Sequence, residues 1–186
     1  MKPKLIIGNK NYSSWSLRPW LLMKEAGIDF DEHRIVLDTP TFKQEIMAIS
    51  EAGRVPILQL GDVTVWDSLA ICETVAERWP EKTLWPADAD ERAHARAISA
   101  EMHSGFDVLR ECMPMNCRAM GRKVAIPDEL GADSDRVINL WSDCHRRYGD
   151  RGGWLFGEFS VADAMYAPVE LRLRTYGINL PESAGF

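Results

Sequence analysis

Tyr12-Ser13-Ser14-Trp15-Ser16-Leu17-Arg18-Pro19 follows a short apolar run, Leu5-Ile6-Ile7, and leads into a pattern carrying Leu17, Trp20 and Leu21. The run reads as a strand and the pattern as an amphipathic helix. Hydroxyl groups therefore stand where a strand's C-terminal end meets a helix N-terminus. Free backbone N–H groups and a partial positive charge favour an anion at such a place, and a thiolate is such an anion. The ordinary alternative is that Ser16 caps the helix and the other serines are loop residues. The segments that follow favour the anion.

Outward from this stretch, strand and helix alternate. Residues 4–8 read as a buried strand and residues 16–26 as a helix stopped by Gly27. Residues 32–37 form a second strand and 42–49 a short helix. Val55-Pro56-Ile57-Leu58-Gln59-Leu60 and Val63-Thr64-Val65-Trp66 make a hairpin around Gly61-Asp62. Residues 67–79 are a helix with Leu69, Cys72, Val75, Ala76 and Trp79 on or near its inner face. This order predicts a small α/β domain over residues 1–79. Residues 80–90, with Trp85-Pro86 and alternating Ala and Asp, read as a linker. Residues 91–186 lack strand patterning and predict an all-α domain. Its helices are expected at 91–120, interrupted or ended near Pro114, at 134–148 and at 160–175, with a loop or helix end over 121–133.

The chain has 186 residues and a formal net charge of −6, with no basic stripe, which argues against nucleic acid as a partner. No apolar run is long enough to span a membrane. The stretch Met1-Lys2-Pro3-Lys4 leads into no signal-peptide core, so the expected location is cytoplasmic. Cys72, Cys112, Cys117 and Cys144 make no CxxC, and no Cys/His spacing suits a metal, so no metal is expected. Four free thiols in a reducing compartment is the simplest account.

Two further motifs carry chemistry. Val55-Pro56 opens a strand, where proline is tolerated at an edge. In the cis form, the N–H and C=O of Val55 can both point outward at a ligand backbone. Asp67-Ser68 opens the next helix. One reading is a plain cap with an acid. The other is a carboxylate bound by the hydroxyl and the first N–H groups, with Asp67 on an ammonium, as the α-carbon end of an amino acid requires.

These pieces, in this order, resemble the glutathione transferase family over nearly the whole chain. The best segments are Tyr12–Arg18, Arg54–Leu58 and Asp67–Ile71. A fourth is Gly157-Glu158-Phe159-Ser160-Val161-Ala162-Asp163-Ala164, where the family carries a Ser/Thr-x-x-Asp box that opens a buried helix. Physically it is a capping box, with a role in folding. The resemblance implies a thioredoxin-like α/β N-terminal domain and an all-α C-terminal domain. It implies glutathione as co-substrate, a small electrophile as second substrate, and a homodimer. Within the family, Ser13-Ser14-Trp15-Ser16-Leu17-Arg18 is most similar to the zeta class, which reads Ser-Ser-Cys-Ser-Trp-Arg. Ser13 then donates a hydrogen bond to the glutathione sulfur and Ser14 is its neighbour. Arg54, Val55, Pro56, Asp67 and Ser68 complete the glutathione site. Trp15 replaces the zeta cysteine, and Asp67 stands where the zeta class has Gln. Both departures bear on maleylacetoacetate isomerase activity, the second reading within the family. A third reading keeps the fold as a non-catalytic binding or assembly module.

A free thiol has a pKa near ~8.5. Lowering it by about two units needs about 2.7 kcal/mol, within reach of one hydroxyl donor plus a helix N-terminus. Tyr12 is a competing donor, though packing suits it better. Tyr12, Trp15, Met102, His103 and Phe106 are candidates to line the second-substrate pocket, with plain helix core as the alternative for the last three. Asp107, on the same expected helix, is a candidate to approach the glutathione of a dimer partner. Family members usually continue beyond the helix at 160–175, whereas this chain stops at Gly185-Phe186. The expectation is an all-α domain truncated at its end.

Overall fold

The computed structural model describes residues 2–124 and 127–178. The chain divides into two compact units, Met1–Lys82 and Thr83–Phe186. The expected end at Gly185-Phe186 lies outside the described residues.

In the first unit the elements are β1 (Lys4–Ile7), α1 (Ser14–Glu25), β2 (Asp31–Arg34), α2 (Phe42–Met47), β3 (Ile57–Leu60), β4 (Val63–Trp66) and α3 (Ser68–Arg78). The sheet order is β2-β1-β3-β4, with β1 parallel to β2 and antiparallel to β3, and β3 antiparallel to β4. β1 is central, and Leu5, Ile6 and Ile7 are all buried, which explains a continuous apolar run rather than an alternating one. Ile6, Ile35, Ile46 and Ile57 form one buried cluster, with Phe42, Ile49 and Val55 packed against it. Each such side chain contributes about 1.5–3 kcal/mol on burial, so a charge at Ile57 would open this unit. α1 stops where the sequence predicts. Gly27 takes φ +64°, its N–H reaches Lys24 C=O at 3.0 Å, and Ile28 N–H reaches Met23 C=O at 2.9 Å. That bond pair is a Schellman ending, which needs a left-handed residue that glycine supplies without strain.

The second unit holds α4 (Ala89–Ser104), α5 (Asp107–Cys112), α6 (Asp128–Tyr148) and α7 (Val161–Tyr176). Residues from the stretch read as a linker pack here: Leu84 and Trp85 are buried, and Leu84 C=O accepts the Val161 N–H at 2.9 Å. The capping box forms at α7, with Ser160 as cap and Asp163 reaching back to the Ser160 N–H at 2.8 Å.

Two expectations need correction. The helix expected over 91–120 breaks at Gly105-Phe106, well before Pro114, and Phe106 sits in the left-handed region at φ +62°. The reason is Arg110, whose guanidinium takes the carbonyls of Gly105, Met102 and His103 at the end of α4. A side chain thus satisfies the last carbonyls that a continuing helix would have used. α6 begins at Asp128 rather than residue 134, because Pro127 starts it and Asp128 and Glu129 suit its first turn.

Candidate functional site

The sheet register gathers one end of the first unit. Ile6 pairs with Ile57, and Ile57 pairs with Trp66. The end of β1, the start of β3 and the end of β4 therefore lie in one row. Just beyond it come the turn leading to Ser13, the segment Arg54-Val55-Pro56, and Asp67-Ser68. α1 and α3 both begin at this end.

In the turn, the N–H groups of Tyr12 and Ser13 both donate to Asn9 C=O, at 3.2 and 2.8 Å. The cap of α1 is Ser13, not Ser16, because the Leu17 N–H closes the first helical bond on Ser13 C=O at 3.0 Å. Ser13 Oγ accepts the Ser16 N–H at 3.4 Å, a long bond, and donates to Ser16 Oγ at 2.8 Å. Ser16 Oγ also accepts the Gly8 N–H at 3.0 Å. Ser14 is buried in the first turn, and that turn contains no acid. The positive end of α1 is thus not offset by a carboxylate of its own first turn. Tyr12 is 58 % exposed. Trp15 is half-buried beneath the Arg18 guanidinium, 4.4 Å from its ring centre.

The Val55–Pro56 peptide is cis. The N–H and C=O of Val55 have no hydrogen-bond partner among the described residues. Arg54 is exposed, and its Nε donates to Ala52 C=O at 3.3 Å. Asp67 caps α3 from a left-handed backbone, φ +76°, accepting from Leu69 N–H at 2.9 Å and Ala70 N–H at 3.3 Å. Ser68 is 1 % exposed, and its hydroxyl has no hydrogen-bond partner among the described residues. Leaving such a group unmade costs about 1–3 kcal/mol, and folded chains rarely do so.

Two of the chain's own thiols, Cys72 and Cys144, are buried and poor nucleophiles. Burial pushes Cys72 far up, against the pull of the Arg18 charge. Burial likewise pushes Cys144 up to about 12 and raises Cys117. Among the described residues, no group of three or more His, Cys, Asp or Glu gathers as metal donors, and no helix is long and apolar enough to cross a membrane.

Met102, His103 and Phe106 belong to the second unit. Met102 is buried in α4, Phe106 is buried at the break before α5, and His103 is half-buried in the last turn of α4. The second unit also carries a cavity of about 460 Å³ walled by Trp85, Phe156 and Phe159, which includes none of these three. Sequence reasoning passed over Ser16 as a partner of Ser13. The available signal was the cap-to-N3 spacing, the same spacing that marks the box at Ser160.

Comparison with known proteins gives a consistent result. The family model described as glutathione S-transferase, N-terminal domain, matches residues 12–78. "Glutathione S-transferase 1" of Dianthus caryophyllus is 35 % identical over 182 residues, covering 91 % of this chain and 76 % of that protein. "Probable maleylacetoacetate isomerase" of Caenorhabditis elegans is 33 % identical over 108 residues, 58 % of this chain and 50 % of that protein. The chain spans about half the length of several curated relatives it matches. In fold it is similar to a glutathione transferase homolog from Burkholderia GL BGR1, solved with bound glutathione. The TM-score is 0.72 and the identity 24 %, covering 99 % of this chain and 87 % of that one.

Proposed function

The chain belongs to the glutathione S-transferase family, and on that premise we propose that it binds glutathione in its first unit and activates the thiol for attack on a small electrophile. The observation that carries this is the buried Ser68 hydroxyl at the start of α3, which has no partner among the described residues. It suits one oxygen of the γ-glutamyl carboxylate, helped by the α3 N-terminus. Asp67 takes the ammonium of the same amino-acid end. The Val55 backbone pairs antiparallel with the cysteinyl unit beside Pro56, and Arg54 offers positive charge to the peptide. Ser13 donates to the sulfur, and Ser14 adjoins it. Serine is no base here. It holds a thiolate by an oriented hydrogen bond and leaves proton release to the lowered thiol pKa. Tyr12 and Trp15 offer aromatic surface to the electrophile. The working form is a homodimer in a reducing cytosol.

Retention on a glutathione matrix, followed by ultraviolet titration of the bound thiol, tests this. The expected result is retention and a thiolate band forming well below pH ~8.5. Failure to bind glutathione would leave the non-catalytic module as the better reading.

A second reading is glutathione-dependent cis–trans isomerisation, favoured by the relative named maleylacetoacetate isomerase at 33 % identity. There the thiolate adds to a cis-alkene, the new single bond rotates, and the thiolate leaves. Turnover of maleylacetone separates the two.

A further inference from the structure

Ser16 is 2 % exposed and has no assigned contact with glutathione in the function proposed above. Its Oγ lies 2.8 Å from Ser13 Oγ and 3.0 Å from the Gly8 nitrogen, which donates to it. Gly8 directly follows β1, so this hydroxyl ties the first turn of α1 to the end of the sheet. A hydroxyl carries one proton and can accept twice. With Gly8 on one lone pair, two proton arrangements fit the same contact between the serines. In one, Ser13 donates to Ser16. In the other, Ser16 donates to Ser13, and the Ser13 proton is released to point outward.

We propose that Ser16 is a positioning residue for thiol activation: when a thiol arrives, the hydrogen bond between the two serines reverses, and Ser13 donates to the sulfur. This rests on the reading of Ser13 as the donor. The reversal leaves nothing orphaned, because the Gly8 N–H keeps its acceptor in both arrangements. In the reversed state Ser13 Oγ accepts from the Ser16 hydroxyl and from the Ser16 N–H while it donates to sulfur. Hydrogen bonds in such a chain polarise one another, so Ser13 becomes a stronger donor than an isolated serine. The consequence falls on the thiol pKa. The peptide contacts of glutathione are untouched.

The experiment is ultraviolet titration of bound glutathione in the wild type, Ser16→Ala, Ser16→Thr, Ser16→Cys, Ser13→Ala and the double alanine variant. Calorimetric affinity and unfolding midpoints are measured alongside. Ser16→Ala should move the thiol titration up by about half a unit to one unit, a change of roughly three- to tenfold in the thiolate-to-thiol ratio at any given pH. Glutathione affinity should stay within about twofold, since one hydrogen bond acting on the sulfur leaves the other contacts intact. Ser16→Thr, which keeps the hydroxyl, should restore the titration. Ser16→Cys gives up the strong donor at similar volume and should shift it as alanine does, so the test survives an alanine variant that does not fold. In the double variant, Ser16→Ala should add nothing to the effect of Ser13→Ala. If the Ser16 variants titrate with the wild type while Ser13→Ala shifts, Ser16 is only a fold contact and the proposal fails. If Ser13→Ala also titrates with the wild type, the serine donor itself is wrong and the proposal falls with it.

Discussion

Ser13 and Ser160 occupy the same position in their helices, and their surroundings differ in charge. At α7, Asp163 sits in the first turn and collects three donors: Ser160 N–H at 2.8 Å, Ser160 Oγ–H at 2.9 Å and Leu155 N–H at 2.9 Å. The helix carries its own anion, fully bonded and buried. At α1 the first turn has no acid, the cap bond is a long 3.4 Å, and the neighbouring groups are hydroxyls. One helix start is closed by the chain itself. The other has no acid in its first turn, and on the function proposed above its partial positive charge serves an anion that comes from outside. A serine cap is therefore informative about function only together with what stands three residues after it.

The sharpest way to break this comparison is to alter Ser13. Ser13→Ala should lower transferase turnover by roughly a hundredfold, about 2.7 kcal/mol, with glutathione affinity within a few-fold. Ser13→Asp should lose at least as much turnover while keeping or improving the unfolding midpoint, because Asp is a good cap and gives α1 the carboxylate that α7 already has. Steady-state kinetics and thermal melts read both. Retained turnover in Ser13→Asp would show that the open charge at α1 has no part in the chemistry.

The next effect is smaller and acts on binding. Ser68→Ala should weaken glutathione about tenfold, or 1.4 kcal/mol, by calorimetry. Stability of the ligand-free chain should hold or rise slightly, since removing a buried hydroxyl that has no partner removes a cost. A fall in unfolding midpoint with unchanged affinity would place the Ser68 hydroxyl among fold contacts, like Ser160.

The contrast was partly visible in the sequence. Gly27, the Gly61-Asp62 turn, Asp67 and the Ser160/Asp163 spacing are local signals, each acting over a few residues, and each element they mark appears in the structure. The cap of α1 was ambiguous because several hydroxyls crowd one turn, and only the bond from Leu17 to Ser13 picks among them. The break at Gly105-Phe106 depends on where the Arg110 side chain turns back, which helical periodicity does not encode. The α6 start had a readable signal in Pro127-Asp128-Glu129, obscured by Gly131 in the next turn. The state of the Ser68 and Ser16 hydroxyls needs burial and partners across the sheet end, and neither is a property of local sequence.

The smallest effect belongs to the closed helix start. Ser160→Ala should cost about 1 kcal/mol of stability by denaturant unfolding, the usual loss of a serine cap, with glutathione affinity and thiol titration unchanged. The Asp163 carboxylate would keep its bonds to the Ser160 and Leu155 N–H groups, so the box is thinned rather than emptied. That carboxylate also gives the box a pH signature. Burial is the largest influence on Asp163 and holds its carboxyl above the usual range, with the hydrogen bonds pulling it back down. The folded state therefore binds this proton more tightly than the unfolded chain does. Stability from this group is greatest below the unfolded value of ~3.9 and declines as pH rises through the raised folded value. The stability of the wild type relative to Asp163→Asn should accordingly fall as the pH rises above about 4. No comparable slope should attach to Ser13, where the chain places no carboxylate in the first turn. A slope of the opposite sign at Asp163 would mean that its three hydrogen bonds outweigh its burial, and that the closed start is a source of stability at neutral pH.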